Sequence, residues 1–154
     1  RIVPGAAMSW VGRAEDAERA EYRARYGVEL TGYVEDIRPM VQGAACFVVP
    51  LRVGGGTRLK ILDAWAMGKA IVSTSIGCEG LDAIDGENIL IRDSADGFAT
   101  AVADVLRDPS LRRRLGSAGR ATVERTYSWE VIGEGMLSAY AALLPGAFSA
   151  AGAS

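Results

Sequence analysis

A run of three glycines, set between a short apolar segment and an amphipathic one, constrains this 154-residue chain more than any other feature. Before it, residues 45–50 are apolar and rich in β-branched side chains, which predicts a strand buried on both faces. After Gly54, Gly55 and Gly56, apolar residues recur at helical spacing up to Gly68, a glycine placed to end a helix. The side chains expected to face the core are Leu59, Ile61, Leu62, Trp65 and Ala66.

This junction of strand, glycine turn and helix predicts an anion site. The free N–H groups and the positive dipole end of the helix point at the same place, and glycines let a phosphate approach the backbone closely. Arg58 and Lys60 add positive charge beside that end. The segment is neither a Walker loop nor a Gly-x-Gly-x-x-Gly fingerprint, because both the lysine and the glycine spacings differ. A merely flexible turn is the alternative.

Asp63 extends the same hypothesis from phosphate to nucleoside. It lies six residues beyond Thr57, which is about 9 Å along a helix axis and matches the reach from a diphosphate to its ribose. A carboxylate at that position could accept hydrogen bonds from both ribose hydroxyls. The alternative is a surface ion pair with Lys60, one helical turn away, which would contribute only a few tenths of a kcal/mol.

The rest of the chain alternates strands with helices, which predicts an α/β domain: a Rossmann-like parallel sheet with helices on both faces. We assign this domain to residues 1–144 and a flexible Gly/Ala/Ser-rich tail to residues 145–154. The predicted strands are 1–5, 28–32, 45–50, 70–74 and 88–91, and the predicted helices are 10–26, 35–43, the central helix ending at residue 68, 94–107, 111–127 and 128–144.

Ligands of such sheets bind at the carboxyl ends of the strands, where three predicted loops meet. One loop is the glycine turn; the others carry Tyr33 and Glu79. Tyr33 is a candidate wall of a base pocket, or else a packing residue at a strand end. Glu79 is a candidate contact to a ligand hydroxyl, or else an acceptor for backbone N–H groups.

Composition narrows the function classes. A net charge of −2 gives no sign of a nucleic-acid groove, and the apolar runs are too short to span a bilayer. The chain has no histidine, which removes the commonest general base and the usual zinc ligand, so we expect any chemistry to proceed by positioning and charge. The side chains assigned to packing are Cys46, Trp10, Trp65 and Trp129, whereas Cys78 is assigned to a loop without a role and Arg112, Arg113 and Arg114 to a solvated face.

Residues 50–74, PLRVGGGTRLKILDAWAMGKAIVST, resemble the donor-binding domain of group 1 glycosyltransferases. The similarity continues through VELTGYVED at 28–36, EGL at 79–81, DGEN at 85–88 and YSW at 127–129. It implies the C-terminal half of a GT-B enzyme, whose N-terminal acceptor domain is not in this sequence. It also implies that the full-length enzyme transfers a sugar, with retention, from a nucleotide diphosphate sugar to a hydroxyl of a glycan or lipid-linked acceptor. The resemblance implies neither a metal ion nor a cofactor, and it implies that the isolated domain is inactive.

The resemblance also assigns site residues. Family members commonly carry two glutamates eight apart; the second contacts the ribose and corresponds to Asp63, while the first contacts the donor sugar and corresponds to Gly55. Backbone N–H groups or Arg58 would therefore replace the first glutamate. The family's basic pair for the diphosphate is replaced by Arg58 and Lys60, which we predict as catalytic. The predicted substrate-binding residues are Gly54, Gly55, Gly56, Thr57, Asp63, Tyr33 and Glu79.

Two alternatives remain at this stage. GT-B sugar-nucleotide epimerases share this domain, and only the other half would distinguish them. A non-catalytic, flavodoxin-like receiver or interaction domain is the other, but it needs acidic residues where this chain has Pro4-Gly5 and 50–52. We expect a cytoplasmic protein of polysaccharide biosynthesis, with peripheral contact at the inner face of the membrane left open for the full-length enzyme.

Overall fold

The computed structural model describes residues 3–144; the first two residues and the predicted tail at 145–154 lie outside the described residues. Strands and helices alternate along the described range, as the sequence pattern predicts. The strands are β1 Met8–Trp10, β2 Val28–Leu30, β3 Phe47–Val49, β4 Ile71–Ser73 and β5 Leu90–Ile91. The helices are α1 Asp16–Tyr26, α2 Arg38–Gly43, α3 Leu59–Ala66, α4 Ala95–Arg107, α5 Pro109–Thr126 and α6 Trp129–Leu143, with a short 3-10 turn at Ile76–Cys78.

Every pairing between the named strands is parallel, which confirms the predicted α/β class. The pairs among residues 3–144 fall into two sheets, however: β1–β2, and β3–β4–β5 with β4 at its centre. The register of the larger sheet places Phe47 opposite Ile71 and Val72 opposite Leu90. The carboxyl ends of β3, β4 and β5 therefore meet at one edge.

Helices cover both faces of the larger sheet. Successive β4 residues point to opposite faces, so Ile71 packs with Ile61 and Trp65 of α3, while Val72 packs with Val105 of α4. These side chains are fully buried. The two core clusters thus lie on opposite sides of one sheet, as expected for strands buried on both faces.

Helix α5 approaches α3 closely because it presents glycines there. A Cβ atom added to Gly116 would lie 2.1 Å from the carbonyl oxygen of Gly68, and one added to Gly119 would lie 2.2 Å from the Trp65 ring. The indole Nε1 of Trp65 donates to the Asn88 carbonyl at 2.9 Å. Gly68 itself has φ +66 just beyond α3, which confirms the predicted glycine stop.

The N-terminal region differs from the prediction. Residues 3–5 form a turn, where the end of a first strand and its turn were predicted, and Trp10 belongs to β1 rather than to the first helix, which begins at Asp16. The segment Met8-Ser9-Trp10 alternates apolar and polar residues, which is the period of a strand. This short pattern was overlooked because the residues that follow it favour a helix.

Several side chains lie elsewhere than predicted. The buried stripe of α3 is Ile61, Ala64 and Trp65, whereas Leu59 is 59 % exposed and Ala66 is also exposed, because the helix rotates Ala64 inward at the i, i+3, i+4 spacing. Trp129 is 84 % exposed, so packing is the wrong role for it within the described chain. Two further corrections come from tertiary contacts that the local pattern does not encode. Cys78 is buried in the core, and Arg112 is half-buried with its guanidinium on the carbonyls of Val105 and Leu106. Trp10 is half exposed, but its ring packs against that of Tyr22, in line with its predicted role.

Cys46 is partly buried beside the second core cluster, in line with its predicted role as a small apolar residue. Burial raises the pKa of its thiol to about 12, so the reactive thiolate is scarce at neutral pH.

Candidate functional site

The glycine turn lies exposed between β3 and α3, at the carboxyl edge of the larger sheet. Gly56 has φ +88, a conformation that side chains rarely adopt, so the turn requires a glycine there. Within residues 3–144, the backbone N–H groups of Gly54, Gly55, Gly56 and Thr57 donate to no protein acceptor. These donors stand next to the N-terminus of α3, where the helix dipole favours negative charge.

Arg58 ends the turn, and its side chain folds back beneath it. The residue is only 5 % exposed. Its guanidinium donates to the Gly55 carbonyl at 3.1 Å and to the Gly54 carbonyl at 3.3 Å. Arg58 Nη2 also lies 3.3 Å from Glu79 Oε2, so the structure brings together the glycine turn, Arg58 and Glu79 as predicted neighbours.

Lys60 and Asp63 lie on α3 just beyond the turn, and both are exposed. They are three residues apart and so share a face of the helix. The ion pairs of the described range do not include one between these two side chains. The carboxylate of Asp63 and the ammonium of Lys60 are therefore both presented to solvent on the helix that begins at the turn.

Tyr33 lies apart from the glycine turn. It follows β2, is 76 % exposed, and lines an open cleft of about 510 Å³ with Arg13, Arg19 and Gly32. None of the turn residues line this cleft in the described structure. The roles of Tyr33 and of the other candidate residues remain predictions.

The loop that carries Glu79 is held by two polar residues that the sequence analysis missed. The Thr74 hydroxyl donates to the Leu51 carbonyl and accepts from the Gly77 N–H at 3.0 Å, which ties the segment before the glycine turn to the 3-10 turn. Gly77 passes so close to β3 that an added Cβ would lie 2.9 Å from the Val49 carbonyl.

Asn88 is the second missed residue, and it is almost completely buried. Its side chain accepts from the Ile84 N–H at 2.8 Å and donates to the Asp82 carbonyl at 2.8 Å and to the Thr122 hydroxyl at 3.0 Å. The Asp-Gly-Glu-Asn segment was noted only as part of a pattern, and a buried asparagine beside a strand was the available signal. Arg13 was missed for another reason: it follows β1, which was itself misplaced.

Comparison with known proteins identifies the family. A family model described as "Glycosyl transferases group 1" matches residues 2–108, well over half of the chain. The chain belongs to the group 1 glycosyltransferases. A lipopolysaccharide core biosynthesis glycosyltransferase, LpsE of Rhizobium meliloti, is 35 % identical over 117 residues, which cover 71 % of this glycosyltransferase chain and 33 % of the relative.

Solved structures have the same fold as this glycosyltransferase domain. Sucrose-phosphate synthase from Thermosynechococcus elongatus superposes with a TM-score of 0.76 at 25 % identity, over 92 % of this chain and 39 % of that one. Anabaena Alr3699/HepE, solved in complex with UDP, gives 0.74 at 14 % identity, over 91 % and 42 %. The C-terminal domain of a group 1 protein, LpcC of Francisella tularensis, gives 0.63 at 16 % identity, over 82 % and 89 %.

The glycosyltransferase chain spans about a third of the length of the curated relative, and its match to the isolated LpcC domain is nearly complete on both sides. In the part of the chain that the structure describes, no helix combines the length and the apolar character needed to cross a membrane. In the same part, no three Cys, Asp or Glu side chains come together as a metal site would require.

Proposed function

We propose that this domain binds a nucleotide diphosphate sugar and serves as the donor half of a retaining glycosyltransferase. The diphosphate lies over the glycine turn, and the ribose lies against Asp63. The observation that carries this proposal is the row of N–H groups at 54–57, which have no protein acceptor among residues 3–144. This row leads directly into a helix bearing an exposed lysine and an exposed aspartate.

The same arrangement suits the chemistry of transfer. As the bond from sugar to phosphate breaks, negative charge grows on the departing diphosphate. Donors fixed in advance, namely the turn N–H groups, the α3 dipole and the Lys60 ammonium, stabilise that charge without having to reorganise. Arg58 adds positive charge from beneath the turn. Glu79, which pairs with Arg58 beside the turn, would contact a hydroxyl of the donor sugar.

The names of two similar proteins support this proposal. The Anabaena structure of the same fold holds UDP, and the Rhizobium relative is named for lipopolysaccharide core biosynthesis. We therefore infer a hexosyl donor and a glycan or lipid-linked acceptor, with the acceptor contacts supplied by a second domain. Tyr33 would flank the base, with its cleft providing the space beside the ring. No metal ion is proposed for the transfer.

Calorimetry with UDP and GDP tests this function, and Asp63→Ala is the informative variant. Loss of a charge-assisted pair of hydrogen bonds to the ribose costs about 1.5–3 kcal/mol, so the affinity for the preferred nucleotide should fall at least about tenfold. Asp104→Ala, an exposed aspartate on α4, is the matched control and should leave the affinity unchanged. Failure of the unaltered chain to bind either nucleotide contradicts the proposal, as does an Asp63→Ala variant that binds normally.

The chain alone should bind the donor without transferring its sugar, because the acceptor contacts are missing. Incubation with a matched sugar donor and a glycan acceptor should give no product, while the nucleotide still raises the melting temperature. Product formation by the chain alone would show that this domain is sufficient for catalysis.

A further inference from the structure

Three consecutive glycines form an unfavourable anion site unless something orders them. Glycine loses more conformational freedom on folding than any other residue, and a turn left loose must be ordered when the ligand binds. Gly54, Gly55 and Gly56 are all exposed, and a Cβ added to Gly55 or Gly56 would meet no atom within 4 Å, so packing does not hold them. The order of this turn must come from hydrogen bonds.

The structure shows one side chain that provides these bonds. The Nη1 group of Arg58 donates to the Gly55 carbonyl, and its Nη2 group donates to the Gly54 carbonyl and also contacts Glu79. With both carbonyls bonded from below, the two peptide planes that contain them are fixed, while the N–H groups of the turn have no protein acceptor in the described part of the chain.

We propose that Arg58 is a positioning residue, which pre-organises the glycine turn so that its N–H groups are ready for the diphosphate, while Glu79 fixes the guanidinium from the adjacent loop. The identity of the ligand rests on the proposed function. The ordering of the turn by Arg58 does not, because it concerns the ligand-free protein.

This role differs from direct contact with the ligand. The Arg58 side chain is 95 % buried by the protein itself, and its Nε atom is buried without a hydrogen-bond partner in the described structure. An arginine that left the turn to reach a phosphate would give up both carbonyl bonds and the contact with Glu79. A lysine carries its donors on one compact ammonium group in place of the planar fork, so it cannot hold two carbonyls and one carboxylate in the same spread geometry.

The test is ¹⁵N relaxation of the ligand-free chain with Arg58→Lys. Order parameters of Gly54, Gly55 and Gly56 should be near that of rigid backbone, about 0.85, in the unaltered chain and should fall below about 0.6 in the variant. Gly68, which ends α3 and does not contact Arg58, is the internal control and should stay unchanged. Unchanged order at the three glycines in Arg58→Lys, or disorder there already in the unaltered chain, overturns the proposal.

Glu79→Gln provides a second variant, because Glu79 is 73 % exposed and its substitution does not disturb the core. The same three glycines should lose order by a smaller amount than in Arg58→Lys, since both carbonyl bonds remain. If Arg58→Lys does not fold, Glu79→Gln decides. Unchanged order parameters at the three glycines in Glu79→Gln would show that Glu79 does not help to order the turn, and would overturn the proposal as stated.

Nucleotide binding separates this proposal from the proposed function. Arg58→Lys should bind UDP or GDP about tenfold more weakly, because the ordering cost moves into the binding step. Weaker binding with an unchanged ligand-free turn identifies a direct contact and overturns positioning. If the unaltered chain binds neither nucleotide, the proposed function fails, while the ligand-free order parameters still decide the role of Arg58.

Discussion

The two sheets of this domain differ in how completely helices cover them. In the β3–β4–β5 sheet, the central residues Ile71 and Val72 are fully buried from opposite sides by α3 and α4. In the β1–β2 pair, Met8 and Trp10 remain 40 % and 53 % exposed, and α1 contacts the strand through the edge of the Tyr22 ring. Parallel strands are stable when both faces are covered, so the free energy of folding resides mainly in the larger sheet.

This difference matters for the site because its parts are divided between the two regions. The glycine turn, Asp63 and Glu79 belong to the well-packed region, whereas Tyr33 and its cleft belong to the exposed one. We therefore expect phosphate and ribose contacts to depend on a rigid scaffold, and contacts to the base to depend on a more adaptable surface. Four experiments test this contrast, in order of decreasing effect.

Gly116→Ala should have the largest effect. The new Cβ would lie 2.1 Å from the Gly68 carbonyl oxygen, which is backbone and cannot rotate away, so α5 must separate from α3. We expect the free energy of unfolding to fall by about 3 kcal/mol in urea denaturation. Gly133→Ala in α6, where nothing lies within 4 Å of the new Cβ, is the control and should raise stability by up to about 1 kcal/mol. Equal effects at both sites would contradict the close packing of α5 on α3.

The two tryptophans give the second comparison. Trp65 is fully buried with its indole N–H on the Asn88 carbonyl, so Trp65→Phe leaves a cavity and an unpaired carbonyl and should cost about 2 kcal/mol. Trp10→Phe, in the exposed strand, should change stability by less than about 0.5 kcal/mol. Denaturation curves of both variants measure the contrast, and similar losses would show that the small sheet is as important as the large one.

Helix capping gives the third test. Ser94 caps α4 by accepting from the Gly97 N–H at 3.2 Å, whereas α1 begins after Glu15 without a side-chain cap. Ser94→Ala should cost about 1 kcal/mol. Glu15 already has the extended backbone of a capping residue, so Glu15→Ser should stabilise the chain by a few tenths to about 1 kcal/mol. A loss of stability in Glu15→Ser would mean that the exposed region already has a cap from other groups.

The smallest effect depends on pH. Burial opposes ionisation of Asp85, but hydrogen bonds from the Ile91 N–H and the Arg92 guanidinium outweigh it, and the pKa of this carboxyl falls below its usual 3.8. A carboxyl whose pKa is lowered on folding stabilises the folded chain at pH values above its pKa in the unfolded chain. This contribution is lost as the pH falls through its pKa in the folded chain. Asp85→Asn should therefore lower the free energy of unfolding by less than about 1 kcal/mol at pH 7, since the Asp85–Arg92 pair is half exposed. Near pH 3 the loss should be smaller still. A constant difference at both pH values would contradict the assignment.

Much of the packed region could be predicted from the sequence because its signals are local. Gly68 ends a helix by its own backbone preference, and the β-branched run before the glycine turn predicts a buried strand. The exposed region was harder, because the three-residue strand at Met8 precedes a long helix-forming segment that dominates any sequence window. Short strands stabilised by distant partners leave a weak local signal.

The candidate site divides in the same way. The sequence predicts the turn, the charges and Asp63, since their spacing follows from helix geometry. It does not predict that Arg58 turns inward, because that orientation depends on Glu79, which lies 21 residues further along the chain. Thr74 and Asn88 were missed for the same reason: their hydroxyl and amide groups acquire a role only when Leu51, Gly77 and Thr122 come into contact with them.

The glycine face of α5 has a consequence for how such a domain changes over time. Helix α5 supplies none of the candidate ligand contacts, yet its lack of side chains at two positions sets the depth at which α3 sits in the molecule. A methyl group at either position would press on α3 or on the glycine that follows it, and so on the helix that carries Asp63. A substitution on the far side of α3 could thus alter the candidate site while every candidate contact residue stays chemically intact.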